Sequence, residues 1–161
     1  MIPECSRPVS LDRIGPDGLD YTVEASPAEC GALALRMDLP AVHAMSCAFH
    51  LERQGRDMVL ARGVLRARIR QTCVVTLEDF DLALEERFRL RFVPAGQVSE
   101  EVDPEGDDEI PFTGNEIDLG EAAAEQLGLA LDPYPRMPGA ELPEQAADPA
   151  ENPFAVLRRL N

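Results

Sequence analysis

Two short stretches carry the residues best spaced to do chemistry. In VLRARIRQT, Arg66, Arg68 and Arg70 recur every second residue, and in ERFRLRFV so do Arg87, Arg89 and Arg91. On β-strands a two-residue period puts each trio on one face, with Leu65, Ala67 and Ile69, and Phe88, Leu90 and Phe92, on the other. If both strands share a sheet, six guanidiniums share a surface. Such a surface suits phosphate oxygens, because each guanidinium is a permanently charged planar fork of donors. The competing reading is a solvated strand face, its arginines paired with Glu85, Glu86 and a nearby acidic segment. No aromatic residue interleaves on the arginine side, so base stacking is not part of the expectation.

Other chemistry is poorly encoded. His43 and His50 are seven residues apart, which places them on opposite sides of a strand. The four cysteines, Cys5, Cys30, Cys47 and Cys73, lie at least 17 residues apart and form no close pair, so no metal site is expected. Cys73 sits in an apolar, β-branched run, QTCVVTL, where a free cysteine behaves as a small hydrophobe. There is no glycine-rich phosphate loop and no serine nucleophile elbow. No catalytic residue, enzymatic activity or cofactor is therefore expected.

The arginines need strands to align them, and the chain supplies the signals. Residues 42–54 and 58–76 read as a long hairpin about Gly55-Arg56-Asp57. A strand follows from about residue 83 to 93, and LDYTVEAS at 19–26 alternates as another. Ser26-Pro27-Ala28-Glu29 has the order of a capped helix start, predicting a helix over 27–37 that stops before Pro40. Asp118 followed by Glu121 and an alanine run predicts a second helix over 119–131, ended by Pro133. Residues 1–17 look extended and loosely held. The fold class is α+β: an antiparallel sheet, open or barrel-like, with two short helices. Residues 1–132 form the domain and 133–161 a Pro-rich tail, six of its prolines falling between 133 and 153. The tail is expected to be disordered. Its end, NPFAVLRRL, is an amphipathic stretch able to form a helix on a partner.

With 161 residues and 45% apolar content, the chain supports one modest core. The net charge of −15 opposes nucleic acid and anionic membrane on average, but the average hides segregation. All fifteen basic residues other than histidine are arginine, and nine of them fall between Arg53 and Arg91. Residues 95–115 carry seven acids and no base, which reads as a flexible acidic loop. That loop is either solvated or laid over the arginines as a competitor for phosphate. No signal peptide or long apolar run is evident, so a reduced, cytoplasmic, non-membrane protein is expected.

Four stretches together resemble the YceD family, named for accumulation of large-subunit ribosomal RNA. They are YTVEASPAECGALALRMDLPAV, RARIRQTCVVTLEDF, EIDLGEAAAEQLGLALDPYPRMPGA and the terminal NPFAVLRRL, spanning about residues 8–161. The resemblance implies a bacterial, non-enzymatic role in ribosome biogenesis, with large-subunit ribosomal RNA or a pre-ribosomal particle as partner. Contact through Arg66, Arg68, Arg70, Arg87, Arg89 and Arg91 is the leading form of that expectation. An acidic adaptor that binds basic ribosomal or assembly proteins is the alternative. Many members carry C-x-R-C where Cys73 to Thr76 stand here, and a further cysteine cluster after the second helix. This chain has Thr76 at the second position and Pro133-Tyr134-Pro135 after the helix. The resemblance thus implies that Cys73 marks a lost metal site and packs on a strand.

Overall fold

The computed structural model describes residues 3–101 and 103–142. Its main sheet holds five strands: β2 (Leu19–Glu24), β3 (Ala41–Gln54), β4 (Met58–Thr72), β5 (Asp79–Pro94) and β6 (Asp108–Phe112), in that order across the sheet. The first four form an antiparallel meander, and β6 joins β5 in parallel. Two short strands, β1 (Pro8–Ser10) and β7 (Glu116–Asp118), pair in a separate antiparallel ribbon. The helices are α1 (Pro27–Arg36) and α2 (Leu119–Ala130).

The helix starts follow local chemistry. The Ser26 hydroxyl accepts from the Glu29 amide, and the Glu29 carboxylate accepts from the Ser26 amide, a complete capping box with Pro27 in the first turn. Asp118 Oδ1 accepts from the amides of Gly120 and Glu121 and opens α2. These reciprocal bonds satisfy amides that the first turn leaves without partners.

The sheet is open, with β2 and β6 at its edges and no pairing between them, so the barrel-like form of the expectation is set aside. Closure is unnecessary because helices cover the apolar side. α1 packs on β3, and α2 contacts β4, β2 and β1. Met45, Cys47, Phe49 and Leu51 alternate with outward residues along β3; Val59, Ala61, Leu65, Ala67 and Ile69 do so along β4, and Leu90 and Phe92 along β5. All are buried on one side of the sheet. Phe88 lies over Gly63, directly across the ladder, and meets Phe49 edge-on with ring centroids 5.7 Å apart. Gly63 leaves the space that the ring fills.

Three expectations are revised by long-range pairing. Residues 95–115 are not loop throughout, because Asp108–Phe112 adds a parallel strand to β5. The N-terminal segment is held rather than loose: β1 pairs with β7, and Cys5, Val9, Leu11 and Ile14 are buried. Residues 132–137 are docked against the end of β4, where the Gln71 amide donates to the Asp132 carbonyl at 3.3 Å. The expected disorder of 143–161 and the terminal amphipathic helix lie outside the described residues.

Candidate nucleic-acid interface

The side of the sheet opposite the helices carries all six expected arginines. Register fixes this: Arg66, Arg68 and Arg70 on β4 face Glu85, Ala83 and Asp81 on β5, while Arg87, Arg89 and Arg91 on β5 face Val64, Arg62 and Leu60 on β4. Each of these shares its strand's outward parity, since the intervening Leu65, Ala67, Ile69, Leu90 and Phe92 are buried. The trios do not lie side by side. One occupies the half of the ribbon near the β4–β5 turn and the other the far half, because an antiparallel hairpin sets the ends of its strands apart. Arg62 has the same parity as the β4 trio and makes a seventh arginine, which the sequence reading left out although its even spacing from Arg66 carried the signal. Ala44, Ser46 and Ala48 on β3, with Ala83 on β5, form a floor of small side chains beneath the guanidiniums.

Most of the cations already have anionic partners. Arg66 Nε donates to Glu85 at 2.9 Å, and Arg70 donates to both carboxylate oxygens of Asp81 at 2.8 and 3.2 Å. Arg89 donates to Asp107 at 3.2 Å, and Arg91 lies 3.7 Å from Asp107 and 3.8 Å from Glu109. Arg62 reaches Glu52 at 3.4 Å. Arg68 and Arg87 are exposed and have no ion pair among the described residues. The hydrogen bonds from Arg70, then from His43, hold the Asp81 carboxyl at about 2. Arg66 likewise lowers Glu85. Asp81 and Glu85 share the parity of Arg87, so the neutralising carboxylates were legible in the strand period. Asp107 and Glu109 belong to the acidic segment expected to meet the arginines, although the parallel pairing of β6 that brings them to Arg89 and Arg91 was not foreseen; Glu86, also expected as a partner, stands across from Leu65 and faces the other side.

The two histidines share this face, contrary to expectation. A bulge between Val42 and Ala44 inserts one residue into β3 and resets its parity. His43 Nε2 lies 2.9 Å from Asp81, and His50 Nδ1 lies 2.6 Å from Asp20. Among the described residues no group of three histidine, cysteine or acidic side chains is placed to hold a metal.

Cys73 is buried, but it is not on a strand: it opens the turn after β4. Its Sγ accepts from the Met137 amide at 3.3 Å and from the Thr76 amide at 3.5 Å. The Met137 bond, then those from Thr76, lower the thiol to about 7. The Val74 amide donates to the Pro135 carbonyl at 2.9 Å, closing the same contact. One thiol, with Thr76 beside it and a cysteine-free segment opposite, does not fit a zinc site, which needs four ligands. Backbone amides occupy the sulfur lone pairs instead.

No described helix is long and apolar enough to cross a membrane. Neither a curated protein nor a solved structure gives a significant match to the chain. One family model does match, over residues 61–161, a span that contains most of β4, all of β5, the acidic segment, α2 and the Cys73 contact. The match covers more than half the chain, and on it the protein belongs to the family described as large ribosomal RNA subunit accumulation protein YceD.

Proposed function

We propose that the protein supports accumulation of large-subunit ribosomal RNA without catalysis, by binding that RNA or a pre-ribosomal particle through the arginine face of its sheet. The family's name supplies the process. The observation that carries the contact is the display of Arg66, Arg68, Arg70, Arg87, Arg89 and Arg91 on one open side, with Arg68 and Arg87 in no ion pair among the described residues. Those two receive phosphate oxygens first. Arg66 and Arg70 join by exchanging an exposed carboxylate for a phosphate, a small cost because exposed ion pairs are worth only about 0–1 kcal/mol. Arg62 extends the same row. Reversing the charge of Arg68 and Arg87 should weaken binding to a large-subunit ribosomal RNA fragment. Unchanged binding would remove the face from the reading and leave only kinship.

A second reading is favoured by the composition of the same face. Asp20, Glu24, Glu52, Asp81, Glu85, Asp107 and Glu109 alternate with the seven arginines, so the surface is a balanced mosaic within a chain of net charge −15. A mosaic suits a protein partner with its own alternating charges, and the acidic chain suits basic ribosomal proteins. Pull-down against separated RNA and protein fractions of the large subunit distinguishes the two. Capture from the protein fraction alone would establish the adaptor in place of the RNA contact.

A further inference from the structure

On the arginine side, β4 and β5 carry no aromatic ring, but the segment docked after α2 brings one to the end of that face. Among the described aromatic residues, Phe49 and Phe92 are buried and Tyr21, Phe80, Phe88 and Phe112 are half-buried; Tyr134 is exposed, at 73%. The backbone on both sides of it is held. Before it, the Gln71 side chain donates to the Asp132 carbonyl at 3.3 Å, and Asp132 Oδ1 accepts from the Tyr134 amide at 2.9 Å. After it, the Pro135 carbonyl accepts from the Val74 amide at 2.9 Å, and the Met137 amide donates to Cys73 Sγ at 3.3 Å. A ring presented from a pinned backbone has little freedom left to lose when a ligand covers it.

The ring stands where the arginine row begins. Val74, bonded to Pro135, follows Arg70 by four residues, a separation of at most about 13 Å along the strand. Arg136, two residues past Tyr134, is exposed and in no ion pair among the described residues. The carboxylates at this end are engaged: Asp132 by the Tyr134 amide, Asp79 by the Thr72 hydroxyl at 2.7 Å, and Asp81 by Arg70. We infer that Tyr134 is the platform on which one unpaired RNA base stacks, while phosphates of the same strand continue onto Arg70 and Arg68. The inference rests on the arginine-face reading above and specifies the RNA at that end as single-stranded. Every base has a π-face, so the contact tolerates any sequence. A duplex keeps its bases within its own stack and offers the ring only backbone.

In the full-length protein, Tyr134→Ala should weaken binding of a short single-stranded RNA by about fivefold or more, the loss of one base stack, and leave a blunt RNA duplex within about twofold. The slope of log affinity against log salt should not change, because stacking releases no counterions. Tyr134→Phe should retain parental binding, since the ring rather than the hydroxyl makes the contact. The chain has no tryptophan, so Tyr134→Trp introduces a lone indole, whose emission should be quenched as single-stranded RNA binds. That signal also decides the matter if Tyr134→Ala fails to fold. Parental affinity in Tyr134→Ala, or an unquenched indole at saturating RNA, would overturn the stacking site alone, provided R68A/R87A still loses affinity. If R68A/R87A also binds like the parent, the arginine-face reading falls with it. An equal loss on duplex RNA, an altered salt slope, or weak binding in Tyr134→Phe would overturn stacking and leave Tyr134 a structural role.

Discussion

Removing Arg68 and Arg87 together should change how RNA binding depends on salt, and should do so more than removing Arg66 and Arg70. Each phosphate neutralised by a free cation releases counterions and adds about 0.7 (single strand) to 0.9 (duplex) to the slope of log affinity against log salt. Arg68 and Arg87 have no carboxylate among the described residues, so R68A/R87A should reduce the slope by about 1.4 to 1.8. Between 50 and 200 mM salt the variant would then lose about 7- to 12-fold less affinity than the parent, although it binds more weakly at low salt. Arg66 and Arg70 must first leave Glu85 and Asp81, which recapture cations from solution as they are freed. R66A/R70A should therefore change the slope by less than half as much. Asp107→Asn, which frees Arg89 and Arg91 from one partner, should steepen it. The measurement is a fluorescence-anisotropy titration of a labelled large-subunit ribosomal RNA fragment across salt concentrations. Equal slopes for the two double variants, or a parental slope in R68A/R87A, would refute the division of the face into free and carboxylate-occupied cations.

Three further outcomes follow from the fold. Gly63→Ala places a Cβ against the ring of Phe88 and should destabilise by about 1–3 kcal/mol in urea unfolding; a neutral result would mean that the ring moves freely. Arg7 grips Glu29 through two bonds of 2.7 and 2.9 Å, holding that carboxyl at about 2 against an ordinary value of 4.5. A depressed folded-state value stabilises above the unfolded one and is lost as pH falls through it. Stability should thus decline between pH 4.5 and 2, and Glu29→Gln should flatten that limb by about 1–2 kcal/mol, discounted for partial exposure. Finally, a chelator should leave the melting temperature unchanged and the purified protein should carry no stoichiometric zinc, because amides rather than a metal engage the Cys73 sulfur; stoichiometric zinc would overturn that assignment.

Local signals in the chain determined a good deal. Ser26 with Glu29, and Asp118 with the alanines after it, specify helix starts through bonds three residues long. The two-residue period of arginine against leucine, isoleucine and phenylalanine specifies strands with one wet and one dry side, and hence that each trio points outward together. What the sequence did not disclose is everything that depends on which distant segment becomes a neighbour. Ladder register staggered the trios along the hairpin. A single bulged residue moved His43 across the sheet. Parallel pairing of β6 delivered Asp107 to Arg89, and docking of residues 132–137 gave the Cys73 sulfur its donors. Periodicity encodes the direction in which a side chain leaves its own backbone. Its charge environment is decided by long-range pairing, which no local pattern contains.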